Sequence, residues 1–216
     1  MKIGIIGAGR MGSALARLWA KAGHEITLSD VMPRDQLEAL AHEIGHGTCA
    51  ASAREATVQA DVILLAVPWI SVHDAIAACG SLEGKILLDV VNPVKADFSD
   101  LEFGYSTSAS EEIAKLAPGA RVCKALNTIP SPVFHLPECK IAGMKVSGFY
   151  CGDDDEAKRT VANLVADAGF DPVDCGPLSS ARYLEAVGML LIRIVVALKA
   201  SPELALTLVR DQKPRC

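Results

Sequence analysis

The sequence predicts an α/β protein built on a doubly wound, mostly parallel sheet extended to about eight strands, and three observations predict it. Apolar runs of strand length alternate with segments of helical periodicity as far as Cys175. The first of these runs opens directly into a glycine-rich turn. Val62-Ile63-Leu64-Leu65-Ala66-Val67 is apolar at every position, as a strand buried on both faces must be.

The elements follow in order. Lys2 to Ile6, Glu25 to Ser29, Val62 to Val67, Lys85 to Val90 and Arg121 to Ala125 read as strands. Met11 to Ala22, Pro33 to Ile44, Ser71 to Cys79 and Ser108 to Leu116 carry helical spacing or start signals. Ile129-Pro130-Ser131-Pro132 breaks regular structure and marks a loop of fixed shape. Lys145 to Cys151 and Phe170 to Asp174 read as two further strands. A helix between them opens at Asp153-Asp154-Asp155-Glu156, where acidic side chains complement the helix dipole. From Ser179 the chain reads as helix, interrupted near Ser201-Pro202, with Asp211 to Cys216 frayed. This divides the chain into a dinucleotide-binding domain, residues 1–177, and a C-terminal helical segment, residues 178–216, that completes the substrate cleft.

Composition removes several functions. Half of the 216 residues are hydrophobic and 22% are charged, which describes a compact globular chain and not a disordered one. The net charge is −5 and the 21 basic residues are scattered, so no positive field awaits a phosphate backbone, and nucleic acid is set aside. The seven cysteines lie far apart without metal-type pairing; they read as small buried residues of a reducing cytoplasm, with Cys216 the exposed candidate thiol. No metal is expected. The opening Met1-Lys2-Ile3-Gly4 runs straight into a strand, which leaves no room for an export signal. Ala186 to Leu198 is almost wholly apolar but too short to span a bilayer, so it reads as a buried or subunit-facing helix and suggests a homodimer.

Gly7-Ala8-Gly9-Arg10-Met11-Gly12 fits G-x-G-x-x-G, and its placement between a strand and a helix start gives the pattern meaning. Gly7 permits the tight turn, Gly9 the approach of a pyrophosphate to the helix N-terminus, and Gly12 the packing of helix on strand. The unit predicts a Rossmann domain that binds NAD or NADP. Asp30 ends the second strand, eighteen residues past Gly12, where a carboxylate meets the adenosine ribose. It favours NAD and repels the 2′-phosphate of NADP, unless Arg10 or Arg34 offsets it. Val67-Pro68-Trp69 and Asn92-Pro93 follow later strands at the same carboxyl edge and should line the coenzyme cleft. Asn127-Thr128-Ile129-Pro130 closes the next strand there, offering amide and hydroxyl groups but no titrating one. None of His24, His42, His46, His73 and His135 has an evident carboxylate partner, and no catalytic residue is assigned. His135 and Lys124 are the candidate proton donors if the chemistry needs one.

With these residues assembled, the chain resembles the coenzyme F420-dependent NADP reductases nearly end to end. Beyond the glycine loop, the likeness is carried by Val67-Pro68-Trp69, Tyr105-Ser106-Thr107-Ser108-Ala109, Asn127-Thr128-Ile129-Pro130, Cys151-Gly152-Asp153-Asp154-Asp155-Glu156 and Gly176-Pro177-Leu178-Ser179-Ser180-Ala181-Arg182. The resemblance implies hydride exchange between a nicotinamide coenzyme and a deazaflavin or flavin-like acceptor. It also implies that Asn127, Thr128 and Ile129 line the acceptor's docking surface under the C-terminal helical part. Two departures stand out. NADP-preferring members follow the second strand with serine and arginine, where this chain has Ser29-Asp30-Val31-Met32; and the loop Gly-x-Gly-x-Met-Gly is nearer that of hydroxyacid dehydrogenases. Transfer between stacked rings needs alignment more than an acid or base. A dehydrogenase of small metabolites, working through Lys124 or His135, and a coenzyme sensor without turnover are the alternatives the residues leave open.

Overall fold

The computed structural model describes residues 1–209. The expectations for Asp211 to Cys216 lie outside them. The strands are β1 (Lys2–Ile6), β2 (Glu25–Ser29), β3 (Cys49–Ala50), β4 (Val62–Leu65), β5 (Ile86–Asp89), β6 (Arg121–Ala125), β7 (Lys140–Ile141), β8 (Met144–Lys145), β9 (Ser147–Gly152) and β10 (Asp171–Asp174). The helices are α1 (Arg10–Lys21), α2 (Arg34–Ile44), α3 (Ala53–Gln59), α4 (Val72–Cys79), α5 (Ala109–Leu116), α6 (Asp155–Asp167) and α7 (Ala181–Ala197). Eight strands form one sheet in the order β10-β9-β6-β5-β4-β1-β2-β3, as the alternation predicted. Every neighbouring pair is parallel except β6 and β9, so β9 and β10 run against the other six.

Alternating side chains explain the two-sided burial. Ile3, Ile5, Val62, Leu64, Ile86 and Leu88 pack on one side with Leu15 and Trp19 of α1, Leu37 of α2 and Leu164 of α6. Ile6, Ile63, Leu65 and Leu87 face the other way, against Ala56 of α3, Ile76 of α4 and Ile113 of α5. The Trp19 indole N–H donates to the Leu164 carbonyl at 2.8 Å, fixing α1 to α6 inside the core.

Three features depart from the sequence reading. β3 and α3 were not expected: β3 is two residues long, and α3 has seven, too few for a periodic pattern to show. A capping box starts α3, in which Ser52 accepts from the Glu55 N–H while the Glu55 carboxylate accepts from the Ser52 N–H. Met144 and Lys145 belong to a small hairpin with Lys140–Ile141 before β9 begins. α7 ends at Ala197, and residues 198–209 are not helical; instead the Ser147 N–H donates to the Leu206 carbonyl and the Leu208 N–H to Ser147 Oγ, pinning the segment beside β9. Among the described residues no helix is long and apolar enough to cross a membrane.

Candidate functional site

The site is assembled at the carboxyl ends of β1, β4, β5 and β6, beginning with the glycine loop. Gly7 has φ +99°, and a Cβ there would lie 2.5 Å from the Ala66 carbonyl oxygen, so only glycine makes this turn without strain. A Cβ on Gly12 would fall inside the Gly7 carbonyl, which is why α1 can lie so close on β1. Gly9 differs from both: φ is −68°, and an added Cβ meets nothing within 4 Å. Its freedom from side-chain bulk keeps space open before the N-terminus of α1, where no side chain caps the backbone.

Asp30 stands beside this loop. One carboxylate oxygen accepts from the Ala8 N–H at 2.6 Å and the other from the Met32 N–H at 3.0 Å, so the acid also braces the turn. Arg34 is turned away, donating to Glu38 at 2.6 Å and to the Ala50 carbonyl at 2.9 Å. Arg10 opens α1 with its side chain exposed along the cleft.

Two adjoining compartments follow the sheet edge. The first, about 750 Å³, is lined by Gly9, Arg10, Met11, Val67, Pro68, Trp69 and Asn92, with the 94–102 loop on its far side. Trp69 packs edge-on to Phe103, rings 5.1 Å apart and 81° between planes. The second, about 510 Å³, is bounded by Asn127, Thr128, Ile129 and Pro130 below and by Gly188, Leu191, Ile192, Val195 and Val196 of α7 above. Arg10, Met11, Val90, Asn92 and Phe98 border both. Most of the expected residues therefore come together. Gly7, Ala8, Gly12 and Asp30 shape the loop from behind. Pro93 is buried and its carbonyl accepts from the Glu102 N–H at 2.7 Å, making it an anchor of the 94–102 loop and not a wall.

Where the compartments meet, two amides hold each other. Asn92 Nδ2 donates to the Asn127 carbonyl, and Asn127 Nδ2 donates to Asn92 Oδ1, each at 2.8 Å; Asn127 Nδ2 also reaches the Leu184 carbonyl at 3.0 Å. Both Asn127 amide protons are thus committed, which fixes the amide's orientation and leaves Oδ1 as a buried acceptor without a partner among the described residues. Thr128 Oγ1, on a residue only 2% exposed, is likewise unpartnered. α7 comes this close because Gly188 has no side chain: a Cβ there would lie 2.9 Å from both polar atoms of the Asn92 amide. Leu126, just before Asn127, is held at φ +60°, a conformation that costs a leucine about 1–2 kcal/mol.

Lys124 does not reach the cleft. It is fully buried, and its ammonium donates to Asp89 at 2.8 Å, to Glu185 at 3.3 Å and to the Val91 carbonyl at 2.6 Å. Three protons meet three acceptors, so the expectation that Lys124 could protonate a substrate is corrected. Burial pulls its pKa down, but the Asp89 and Glu185 carboxylates outweigh that and leave it raised. Burial pushes the Glu185 carboxyl up, with Lys124 and the Ala109 N–H working against it. Sequence reading missed Asp89, Glu185 and Ser110, whose hydroxyl donates to Asp89 at 2.6 Å, because nothing local brings them to Lys124. His135 is exposed and borders a shallower depression with Arg10 and Ser131, outside both compartments. The Cys123 and Cys151 thiols are pushed up to about 12 by burial, as packing residues and not nucleophiles.

A family model described as "NADP oxidoreductase coenzyme F420-dependent" matches residues 2–93. A solved protein of Arthrobacter sp. FB24 assigned as an F420-dependent NADP reductase is 30% identical, with a TM-score of 0.83, over 92% of this chain and 95% of that one. The F420-dependent NADP reductase of Methanothermobacter marburgensis is 27% identical across 90% of this chain and 92% of its own. The rat metalloreductase STEAP3 is 30% identical over 88% of this chain, which spans 37% of that relative's length.

Proposed function

Because the chain belongs to the coenzyme F420-dependent NADP oxidoreductase family, we propose that it moves hydride between a nicotinamide dinucleotide in the first compartment and a deazaflavin or flavin-like ring in the second. When bound, the reduced deazaflavin supplies one hydride to the oxidised nicotinamide and loses a proton to solvent, giving oxidised deazaflavin and reduced nicotinamide. The observation that carries this reading is the makeup of the second compartment: among the described residues, Arg10 is the one ionisable side chain that borders it. An arginine does not give up its proton at ordinary pH, so the second compartment can align a ring but offers no acid or base of its own, and the first adds only Lys95 and Glu102 on its exposed outer loop.

The residues fit such ligands. The open space at Gly9 and the uncapped start of α1 suit a pyrophosphate, held by backbone N–H groups and the Arg10 guanidinium. Asn127 Oδ1 and Thr128 Oγ1, buried and unpartnered, would accept from or donate to the polar edge of a ring lying on Ile129. Asp30, with Arg34 turned away to Glu38 and the Ala50 carbonyl, would favour the ribose hydroxyls of NAD over the 2′-phosphate of NADP, against the family's name. The exposed apolar residues of α7 outside the second compartment, Tyr183 and Leu190, would face a second copy of the chain. The thiols of Cys79, Cys123, Cys139 and Cys151, buried in the fold, suit a reducing cytoplasm.

The test is direct. Purified protein is mixed with reduced F420 or reduced flavin and with oxidised NAD or NADP, and nicotinamide absorbance is followed. Turnover with the deazaflavin is the expected result. Coenzyme binding without turnover across all pairings would refute the proposal and favour a sensor. Light scattering of the same preparation reads the subunit count.

A further inference from the structure

We propose that Lys124 and Asp89 are positioning residues for hydride transfer, acting as a buried pair that clamps the Val91 backbone and so sets Asn92 between the two compartments. The inference rests on the function proposed above. β5 ends at Asp89, and the chain turns at once through Val90 and Val91 into Asn92. Asp89 Oδ1 accepts from the Val91 N–H at 2.7 Å, while Lys124 Nζ donates to the Val91 carbonyl at 2.6 Å and to Asp89 Oδ2 at 2.8 Å. Both polar groups of one residue are therefore held by the two ends of one ion pair. The next residue carries the amide that locks onto Asn127, and it borders both compartments.

Glu185 ties α7 to the same cluster. Its carboxylate takes Lys124 at 3.3 Å and the N–H groups of Ala109 and Ser110 at the start of α5, while the preceding residue, Leu184, accepts from Asn127. Floor and roof of the second compartment are thus registered against one buried ammonium. Stability alone does not account for such an arrangement, since apolar residues of similar volume are often as good or better in a core. What the charges add is direction: a fixed donor and a fixed acceptor on either side of Val91. An error of about 1 Å in the alignment of reacting groups can cost on the order of 100-fold in rate.

The test separates positioning from folding. Lys124→Met leaves the Asp89 and Glu185 carboxylates facing each other without a cation, so it is expected to melt early. Combining Lys124→Met with Glu185→Gln removes that repulsion, and Asp89 keeps the Val91 N–H and the Ser110 hydroxyl as donors. The double variant should recover most of the Tm that Lys124→Met loses, falling short of the parent because the Val91 carbonyl stays unpaired. It should keep coenzyme KM within about twofold, while kcat stays down by about tenfold or more. The emission of bound NADPH should differ from the parent's as the nicotinamide settles against a shifted Asn92. A kcat that returns together with Tm would overturn the proposal, and so would a double variant that fails to fold, because the charge argument demands its rescue. If the parent protein shows no turnover with reduced F420, the functional reading fails on its own. The NADPH emission then decides: a changed spectrum supports the positioning role and an unchanged one refutes it.

Discussion

Replacing Gly9 with alanine should separate stability from coenzyme binding more cleanly than any other single change in the loop. In the free protein the added methyl meets nothing within 4 Å, and a φ of −68° suits any L-residue. Folding therefore loses no contact. The smaller entropy of the unfolded chain favours the variant by about 0.4–1 kcal/mol, alanine's poorer fit at the N-cap of α1 takes back a similar amount, and Tm should stay close to the parent's. The same methyl projects into the space in front of the α1 N-terminus. A pyrophosphate there would have to withdraw from the backbone donors, and charge-assisted hydrogen bonds are worth about 1.5–3 kcal/mol each. Loss of one of them weakens binding by about tenfold to a hundredfold. Melting curves with and without saturating NADH or NADPH, beside a fluorescence titration, measure both effects on one sample. Binding as tight as the parent's would refute the placement of the pyrophosphate at Gly9. A Tm several degrees lower would refute the claim that the space is open.

Other changes test the rest of the site. Asp30→Asn removes a negative charge from the ribose end while leaving an acceptor for the Ala8 N–H, so the ratio of NADPH to NADH affinity should rise by about tenfold, a shift of about 1.4 kcal/mol. Gly188→Ala forces α7 against the Asn92 amide; overpacking of about 1–3 kcal/mol against about 1 kcal/mol of better helix propensity leaves at most a modest loss of Tm, and binding in the second compartment should fall by more than Tm suggests. Arg182→Met breaks a two-point pair with Glu111, whose distances are 2.8 and 2.6 Å. The Arg182 guanidinium, joined by the Ser108 hydroxyl, holds the Glu111 carboxyl below its ordinary 4.5. A carboxyl lowered in the folded state contributes stability above its unfolded value and loses it as pH falls through the folded one. The parent-minus-variant difference in Tm should thus be full at neutral pH and shrink below about pH 4.5.

The parts of this molecule that were legible in the sequence are those specified locally. β1, β2 and β6 begin and end where the apolar runs do, and the glycine loop lies where its spacing put it. β4 and β5 are shorter than their apolar runs because Ala66-Val67 and Val90 go on as cleft wall. α3 left a signal in Ser52 and Glu55 that marks a helix start even where the helix is too short for periodicity. The reversal of β9 had no such mark, because a buried strand reads the same in either direction. Lys124 shows the limit most clearly. At the end of an apolar strand it looks like a side chain free to enter the cleft, and only the folded sheet brings Asp89, and only α7 brings Glu185, to enclose it.

The reach of residues 181–209 gives the molecule an asymmetry in how it could change over evolution. The first compartment is drawn from loops between strands, so altering it disturbs the sheet that holds everything else. The second is covered by one uninterrupted stretch that leaves α5 at Glu185, passes over Asn127 at Gly188 and is pinned again at Ser147. Exchanging residues along that stretch would reshape the cover while the glycine loop stays as it is. Selection could thus retune the partner of the hydride exchange without relearning how to hold the dinucleotide.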